Sequence, residues 1–507
     1  MLGRAVPNTV KQPGEALGPT ETGVFSDSQD LLLKLGASLA LLIPCFWLER
    51  IQAGDLSSHL YNAWLAIQIK QGAATGVTVV ATWTNVLCDW ILEALFRVAG
   101  PLWAERVTVG LAVLLFFWGA FLLIHTVTGR RPWLLVPCLA MLTYGLVFHL
   151  GFLNYYVSTG FCMCILALLW NPSRERFLVA APLAVLAVLA HVLPVVWAVS
   201  VLAFLYLARR IPANRRSLLV LGGIALLLLL QTILVSGIPH PSSLADLATL
   251  NGLAGITGVE QVWIYGPKYL IVSAGLVVVW SLLLLDRLQR GPMLSDPVVE
   301  LWILHMAAFA LLPAAIKLPQ YQHVLAYIPQ RISLWSAIFL CLVVGHSRQG
   351  RWTRRFLALV ATTYFTFLYL DDRAFNRVEN EVTNLVTGIP PGLRVVASIT
   401  DTDSRSNAMA HVIDRACIGH CFSYADYEPA TAQFRIRPMG PNPVVADSMQ
   451  TVQDIEFGRH IVTAREAPLY SVCPCEHSEK RFCLRALGAG DRTCSFSLEV
   501  CPSLFDK

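Results

Sequence analysis

The sequence predicts a mainly α fold, a polytopic membrane helix bundle of about eleven spans followed by a small exported domain of mixed α/β structure. Of its 507 residues, 55% are hydrophobic and only 14% are charged, whereas soluble domains carry roughly 25% charged residues. The apolar residues form long stretches, and arginines cluster in the short connections between them. These basic connections account for the net charge of +5, so the composition indicates no nucleic-acid partner.

Eleven apolar stretches are candidates for spanning helices, since a span needs about 20 residues, with a range near 17–25. One stretch, 177–208, is interrupted by His191 and Pro194. It is divided into two short helices, because the basic connections on both of its sides should lie on the same membrane face. The predicted spans are 31–48, 107–128, 133–150, 153–170, 177–191, 193–208, 217–236, 268–286, 297–316, 331–346 and 355–371.

Five basic connections predict the orientation of the bundle, because basic loops mark the cytoplasmic side of a membrane. They contain Arg130 and Arg131, Arg174 and Arg176, Arg209 to Arg216, Arg287 and Arg290, and Arg348 to Arg355. Residues 1–30 are polar and predict a cytoplasmic tail, not a cleaved signal. Residues 31–372 then form the membrane domain, with an outer loop at 49–106, and residues 373–507 form the exported domain.

The predicted exported domain contains seven of the 13 cysteines. This density is typical of an oxidising compartment and predicts disulfides, although sequence does not give their pairing and the odd number leaves one thiol over. A zinc site at Cys473, Cys475, His477 and Cys483 is a weaker alternative, because its spacing is not that of a standard finger. The mixed α/β fold rests on strand patterns at 393–399, 434–437 and 460–463 and on a helical pattern at 404–417.

A polar and aromatic segment of this domain, 417–429, includes Cys417 and Cys421. Such residues suit contact with a carbohydrate. A turn braced by a disulfide is the favoured alternative.

The outer loop at 49–106 is too long for a turn and too amphipathic for disorder. Asp55 precedes a helical pattern in which Asp55, His59 and Asn62 form one stripe and apolar residues form the other. A second helical pattern at 83–98 places Asp89 and Glu93 one turn apart. Two helices with aromatic residues beside a membrane predict interfacial helices that lie on the bilayer surface.

The order of these segments resembles that of the GT-C class of glycosyltransferases, which includes protein O-mannosyltransferases and aminoarabinose transferases. The shared layout is a first span, a long outer loop, further spans and an exported C-terminal domain. Local sequence adds to the resemblance: Gly54-Asp55-Leu-Ser-Ser-His59 looks like the Asp-bearing start of that loop, and Gly151-Phe-Leu-Asn154-Tyr155 like an outer turn of bacterial members.

The resemblance implies transfer of a sugar from a polyprenyl-phosphate carrier to a lipid, glycan or protein acceptor at the outer membrane face. Asp55 would be the general base, since a carboxylate must lie within hydrogen-bond reach of the acceptor hydroxyl, and His59 would assist it. Positive charge is needed beside the leaving phosphate. The outer-side candidates for this charge are Lys268, Lys317, His323 and Arg331, and the other substrate-binding candidates are Asn62, Asp89, Glu93, Asn154 and Tyr155.

Simpler roles compete with these. An Asp before a helix is a favoured N-cap. Asp89 and Glu93 could be the solvated face of a helix or, with Asp55, could hold a divalent cation, so the cofactor stays open. Lys317 and Arg331 could extend to the membrane boundary. For Asn154 and Tyr155, turn formation and helix packing are favoured.

Two other functions compete with sugar transfer. A transporter or flippase usually needs ionisable residues near the bilayer midplane and internal repeats, and the predicted spans are nearly free of charge and show no matching halves. A non-catalytic membrane scaffold with an exported recognition domain would tolerate loss of Asp55. The predicted location is the bacterial inner membrane, although the endoplasmic reticulum would present the same topology.

Overall fold

The structure is a computed structural model of the chain. It describes residues 27–234, 247–291, 293, 296–316, 324–347, 350–401, 404–475 and 481–498. Most of the predicted cytoplasmic tail lies outside these residues.

Helices dominate the first part of the chain and coincide with all the predicted spans. They are α1 (Asp27–Leu42), α2 (Leu56–Lys70), α3 (Leu87–Thr128), α4 (Val136–Thr143), α5 (Leu146–His149), α6 (Leu153–Leu169), α7 (Arg174–Ala190), α8 (Val192–Arg210), α9 (Arg216–Leu234), α10 (Leu250–Thr257), α11 (Tyr269–Leu288), α12 (Pro297–Leu311), α13 (Ile328–Val344) and α14 (Arg351–Val386).

Five of the described segments are long and apolar enough to cross a membrane, so the chain is a multi-pass membrane protein. They are Ser28–Cys45, Leu87–Thr128, Val192–Arg210, Ala213–Leu234 and Tyr269–Leu288. Shorter apolar segments occur at Trp133–His149, Leu153–Leu169, Pro297–Leu311 and Ile328–Val344. The number of eleven crossings stays a prediction.

Two helix boundaries follow directly from local sequence. His191 has an extended backbone (φ −166°) between α7 and α8, so the division of 177–208 into two helices is confirmed. Helix α3 joins the amphipathic outer segment to a predicted span. Its backbone is non-helical at Gly100 (φ 77°), just before Pro101, because proline disfavours helical geometry in the residue that precedes it.

Contacts join several of the basic connections at one end of the bundle. Arg209 donates to the carbonyl of Trp170, which joins two of these connections. Arg131 pairs with Asp30 at 2.8 Å, at the start of α1. Their grouping agrees with the predicted orientation.

The C-terminal part combines short helices with small sheets. Its helices are α15 (Val412–Cys417), α16 (Tyr427–Thr431) and α17 (Met449–Glu456), and its strands are β2 (Arg394–Ala397), β3 (Ile399–Asp401), β4 (Phe422–Ser423), β5 (Ile436–Pro438), β6 (Leu469–Pro474), β7 (Phe482–Leu487) and β8 (Phe496–Leu498). One sheet has the order β4-β2-β6-β7, and β3 pairs with β8. Strand β5 pairs with β1 (Val77–Val79) of the outer loop.

Several boundaries predicted for this part differ from the structure. Only Val412–Cys417 of the predicted helix 404–417 is helical. The segment 460–463 forms no strand but one isolated bridge, between Ile461 and Arg492, so that prediction is wrong. Helix α14 continues to Val386, because the amphipathic segment 371–386 extends the last apolar helix and buries Phe375, Val378, Val382 and Val386. The boundary predicted at 373 therefore falls inside a helix.

Three disulfides brace this part of the chain: Cys417–Cys421, Cys473–Cys494 and Cys475–Cys483. The zinc alternative is therefore wrong, because three of its four ligands are paired in disulfides. His477 and Cys501 lie outside the described residues.

Helix α2 does not lie on the bilayer surface as expected. Both of its stripes are buried, including Ser58, His59 and Asn62 on the polar side. The polar stripe instead faces the C-terminal part of the chain, where Asn62 donates to Asp426 at 3.2 Å. One continuous apolar core extends through the bundle and the C-terminal part.

Candidate active site

Asp55 is held at the end of the bundle by backbone contacts with the turn that follows α5. The amide of Gly54 donates to the carbonyl of His149 at 2.9 Å. The amide of Asp55 donates to the carbonyl of Leu150 at 3.3 Å. Gly151 has a φ of +80°, and a Cβ atom there would lie 2.2 Å from the Asp55 nitrogen. The two segments touch because glycine leaves room between them.

The Asp55 carboxylate does not cap α2. Asp55 is the residue before the helix, yet its side chain makes no capping hydrogen bond. The side chain is 27% exposed and lines a cavity. The predicted alternative, an N-cap role, therefore does not describe this carboxylate.

The cavity has a volume of about 550 Å³ and lies between the bundle and the C-terminal part. On the bundle side it is lined by segments predicted to face outward: 54–59, 84–85, 150–155, 191–192 and, on either side of a gap in the described residues, 316 and 324–331. Residues of 397–456 close the opposite side. Ligand pockets commonly have volumes of about 300–1,000 Å³, so the cavity can hold a sugar phosphate.

His411 and Asp414 lie beside Asp55 and were not predicted as site residues. The imidazole Nε2 of His411 is 3.5 Å from the Asp55 carboxylate, and its Nδ1 is 3.0 Å from that of Asp414. Burial opposes protonation, yet hydrogen bonds to Asp414 and Asp55 raise the pKa of His411 well above its ordinary value. His411 thus lies between two carboxyl groups whose hydrogen bonds favour its protonated form.

His59 also lines the cavity, one turn after Asp55. Its Nδ1 is 3.1 Å from Asp89 and 3.5 Å from Glu428. Burial opposes protonation, but the hydrogen bond and charge of Asp89 and the charge of Glu428 raise the pKa of His59 to about 9. The structure thus brings together two predicted site residues, His59 and Asp89, and Glu428, which was not predicted.

Glu428 and Asp426 form a buried acidic layer behind His59. Burial raises the pKa of Glu428 to about 7, a rise that the charge of His59 opposes. Burial and the charges of Asp414 and Glu428 raise the pKa of Asp426 well above its ordinary range. Asn62 donates to Asp426, which places the predicted Asn62 behind the cavity and not in its wall.

Asp89 and Glu93 are neutralised by basic side chains. Arg435 lies 3.7 Å from Asp89 and 3.3 Å from Glu93. Lys70 and Arg97 also pair with Glu93. Neither carboxylate lines the cavity, and the described residues contain no group of three metal-ligating side chains.

Arg331, Asn154 and Tyr155 line the cavity on the side of the bundle. Arg331 is 7% exposed, and neither its Nε nor its Nη1 has a hydrogen-bond partner among the described residues. Its guanidinium lies over the rings of Phe152 and Tyr155, 4.3 Å and 5.1 Å from their centres. Asn154 accepts from the amide of Cys88 at 2.9 Å, while its buried Nδ2 has no partner in the described part of the chain. The wall thus presents unpaired donors.

The other predicted cations are placed differently. Lys268 is buried in an ion pair with Asp371 and does not line the cavity. Lys317 and His323 lie outside the described residues. Arg331 is therefore the one arginine or lysine among the described residues of the cavity wall.

The segment predicted to be a disulfide-braced turn or a carbohydrate contact forms part of this site. The Cys417–Cys421 disulfide braces the turn between α15 and β4, and Tyr427 lines the cavity. The sequence contains a weak signal for the His411–Asp414 pair, which was not predicted. The two residues are one helical turn apart and lie next to this segment.

No family model and no curated protein matches the chain. Among solved structures, it is similar to ArnT from Cupriavidus metallidurans in the apo state, with 11% identity, a TM-score of 0.47, and coverage of 88% of this chain and 93% of that chain. It is also similar to ArnT from the same organism bound to undecaprenyl phosphate, with 11% identity, a TM-score of 0.40, and coverage of 76% and 85%. These structural neighbours are GT-C glycosyltransferases.

Proposed function

We propose that this protein transfers a sugar from a polyprenyl-phosphate carrier to an acceptor at the extracytoplasmic face of the bacterial inner membrane. One observation carries the proposal: a partly exposed carboxylate, Asp55, and a buried arginine, Arg331, line the same cavity at the end of the bundle opposite the basic connections. Two donors of Arg331 have no partner among the described residues. A base and a phosphate-binding cation in one cavity are the two groups that this reaction needs.

Arg331 is proposed to bind the carrier phosphate. A guanidinium forms strong, directional hydrogen bonds with phosphate oxygens, and its buried Nε and Nη1 have no partner in the described residues. The Nδ2 group of Asn154 would add a further donor. The rings of Phe152 and Tyr155 beneath Arg331 hold its guanidinium in place. Lys317 and His323 stay candidates for the same role.

Asp55 is proposed to accept the proton of the attacking acceptor hydroxyl. The acceptor oxygen forms a bond with the anomeric carbon as the bond from that carbon to the phosphate oxygen breaks. The phosphate oxygen keeps the electron pair, and Arg331 stabilises its charge. His59 would orient the sugar or acceptor from the cavity wall, while Asp89 holds its ring.

The Asp55→Asn variant tests this assignment. We expect sugar transfer from polyprenyl-phosphate donors to fall about 10²- to 10⁴-fold, the usual contribution of a general base. Asp447→Asn is a matched control, because Asp447 is exposed and does not line the cavity. The assay uses membranes containing the full chain, with and without a chelator, so that any need for a metal is measured. Full activity of Asp55→Asn would overturn the role of Asp55.

The Arg331→Met variant tests phosphate binding. We expect transfer to fall about 10²- to 10³-fold, as for loss of one preorganised donor. Arg373→Met is the control, because Arg373 is an exposed arginine on α14 outside the cavity. If the wild type turns over none of a panel of polyprenyl-phosphate sugars, the proposal of sugar transfer is wrong. Lipid transport or a scaffold role would then replace it.

A further inference from the structure

The imidazole of His411 connects two parts of the chain that are far apart in sequence. It comes from the start of α15 in the C-terminal part, and its Nε2 lies 3.5 Å from Asp55 in the outer loop. Both His411 and Asp414 line the cavity. The contact therefore lies at the place where the proposed acceptor hydroxyl would be deprotonated.

Two neighbours, Asp414 and Tyr427, fix the ring of His411. Asp414, one turn along α15, lies 3.0 Å from its Nδ1. The ring of Tyr427 packs against it with 5.0 Å between ring centres. Asp414 in turn accepts a hydrogen bond from Ser423, which follows the Cys417–Cys421 disulfide. An imidazole with a carboxylate on one nitrogen has a defined orientation, so its other nitrogen points in a defined direction.

We infer that the Asp414–His411 pair is a positioning element for the Asp55 carboxylate, so that the C-terminal part of the chain supplies a portion of the transfer site itself. The inference rests on the proposed function. His411 remains protonated throughout the reaction and donates a hydrogen bond to Asp55. The proton taken from the acceptor goes to Asp55 and then to water, and His411 takes no part in bond making.

This role predicts a specific pH dependence. Burial opposes protonation of His411, but hydrogen bonds to Asp414 and Asp55 raise its pKa well above the ordinary value. Once His411 loses its proton at alkaline pH, it can no longer donate to both carboxyl groups, so activity should fall there. Other ionisable groups face this contact, and they stay unchanged in the comparison. They are His59, Tyr327, Arg331, Asp426, Tyr427 and Glu428.

The test compares the pH profiles of kcat/KM for the wild type and His411→Gln. We expect His411→Gln to be less active than the wild type at neutral pH, by a factor that shrinks at alkaline pH, where the wild type also loses its imidazolium. His460→Gln is the matched control, since His460 pairs with Glu466 at 3.1 Å in the same part of the chain but does not line the cavity. Its pH profile should match that of the wild type. A loss of activity in His411→Gln that is uniform across pH would mean a merely structural role and would overturn the inference.

Asp414→Asn separates orientation from charge. Loss of Asp414 removes one of the hydrogen bonds that raise the pKa of His411. The activity of Asp414→Asn should therefore decline at a lower pH than that of the wild type, while its activity at acidic pH stays closer to the wild type. A decline at the same pH as in the wild type would contradict this assignment.

A second measurement does not depend on activity. Nitrogen-15 NMR of histidine-labelled full-length protein in nanodiscs, with the His411 resonance assigned from its absence in His411→Gln, gives the pKa of His411. We expect a value well above 6.5 that falls in Asp55→Asn. If transfer is absent but this fall is seen, the contact stands and the proposed function is wrong. If Asp55→Asn leaves the His411 pKa unchanged, the pairing itself is wrong.

Discussion

At the scale of single residues, the position of Asp55 depends on a residue nearly one hundred positions away. Gly151 has a left-handed backbone conformation, and the backbone of Asp55 occupies the space where a side chain would begin. The main chain of Asp55 is thus placed by contact with the main chain of the turn after α5, while its side chain meets His411. Small changes at Gly151 should move Asp55.

The Gly151→Ala variant should lose more sugar-transfer activity than its loss of thermal stability would explain. An alanine at a positive φ costs about 1–2 kcal/mol, and the methyl group must also displace Asp55. Gly129→Ala is the control, because Gly129 has a φ of +67° with nothing within 4 Å of an added Cβ. Thermal unfolding in detergent and sugar transfer, measured on both variants, separate the two effects. Equal activity of the two variants would show that the close approach has no consequence.

At the scale of elements, Arg435 joins the strand β5 region to helix α3. Its guanidinium lies between Asp89 and Glu93, and Asp89 in turn orients His59. All three charged side chains are buried. The outer loop and the C-terminal part are therefore held together by ion pairs as well as by the strand pairing of β1 with β5.

The Arg435→Met variant should be destabilised by less than the cost of an uncompensated buried charge, about 3–5 kcal/mol. The reason is that Glu93 keeps Lys70 and Arg97, and Asp89 keeps His59. The double variant Arg435→Met with Glu93→Gln should regain part of this loss, because it removes a buried charge that has lost one of its three basic partners. Arg437→Met is the control, since Arg437 donates only weakly, to the carbonyl of Phe434 at 3.4 Å. Thermal unfolding of the wild type, Arg435→Met, Glu93→Gln and the double variant gives the coupling energy. Additive losses would show that Arg435 and Glu93 do not interact.

At the scale of the whole molecule, the predicted orientation places the cavity and the basic connections on opposite sides of the membrane. Cysteines introduced at Met439, which is 66% exposed, and at Arg130 test this. In intact cells, a membrane-impermeant maleimide should label Met439→Cys and spare Arg130→Cys. After permeabilisation both should react. Labelling of Arg130→Cys alone in intact cells would invert the topology and exclude the proposed extracytoplasmic site.

The sequence was most informative where structure depends on local composition. Apolar length predicts helices because a helix satisfies its own backbone groups in lipid, and every predicted span contains one. The sequence predicts an outer-end position for Asp55, because the predicted topology places the end of the first span there. It does not predict the roles of His411 and Glu428, because their contacts depend on how the C-terminal part packs onto α2. Lys268 does not line the cavity for a similar reason, since its partner Asp371 lies on another helix, α14.

The pairing of β1 with β5 has a practical consequence for protein engineering. Residues 77–79 belong to the outer loop, yet they form the second strand of a sheet whose first strand lies at 436–438. A hybrid that joins only the C-terminal part of a homologue to this bundle would pair β1 of one protein with β5 of another. If the two strands do not pair, their exposed edges favour aggregation. Hybrids that take both segments from the same protein should preserve the pairing of β1 with β5.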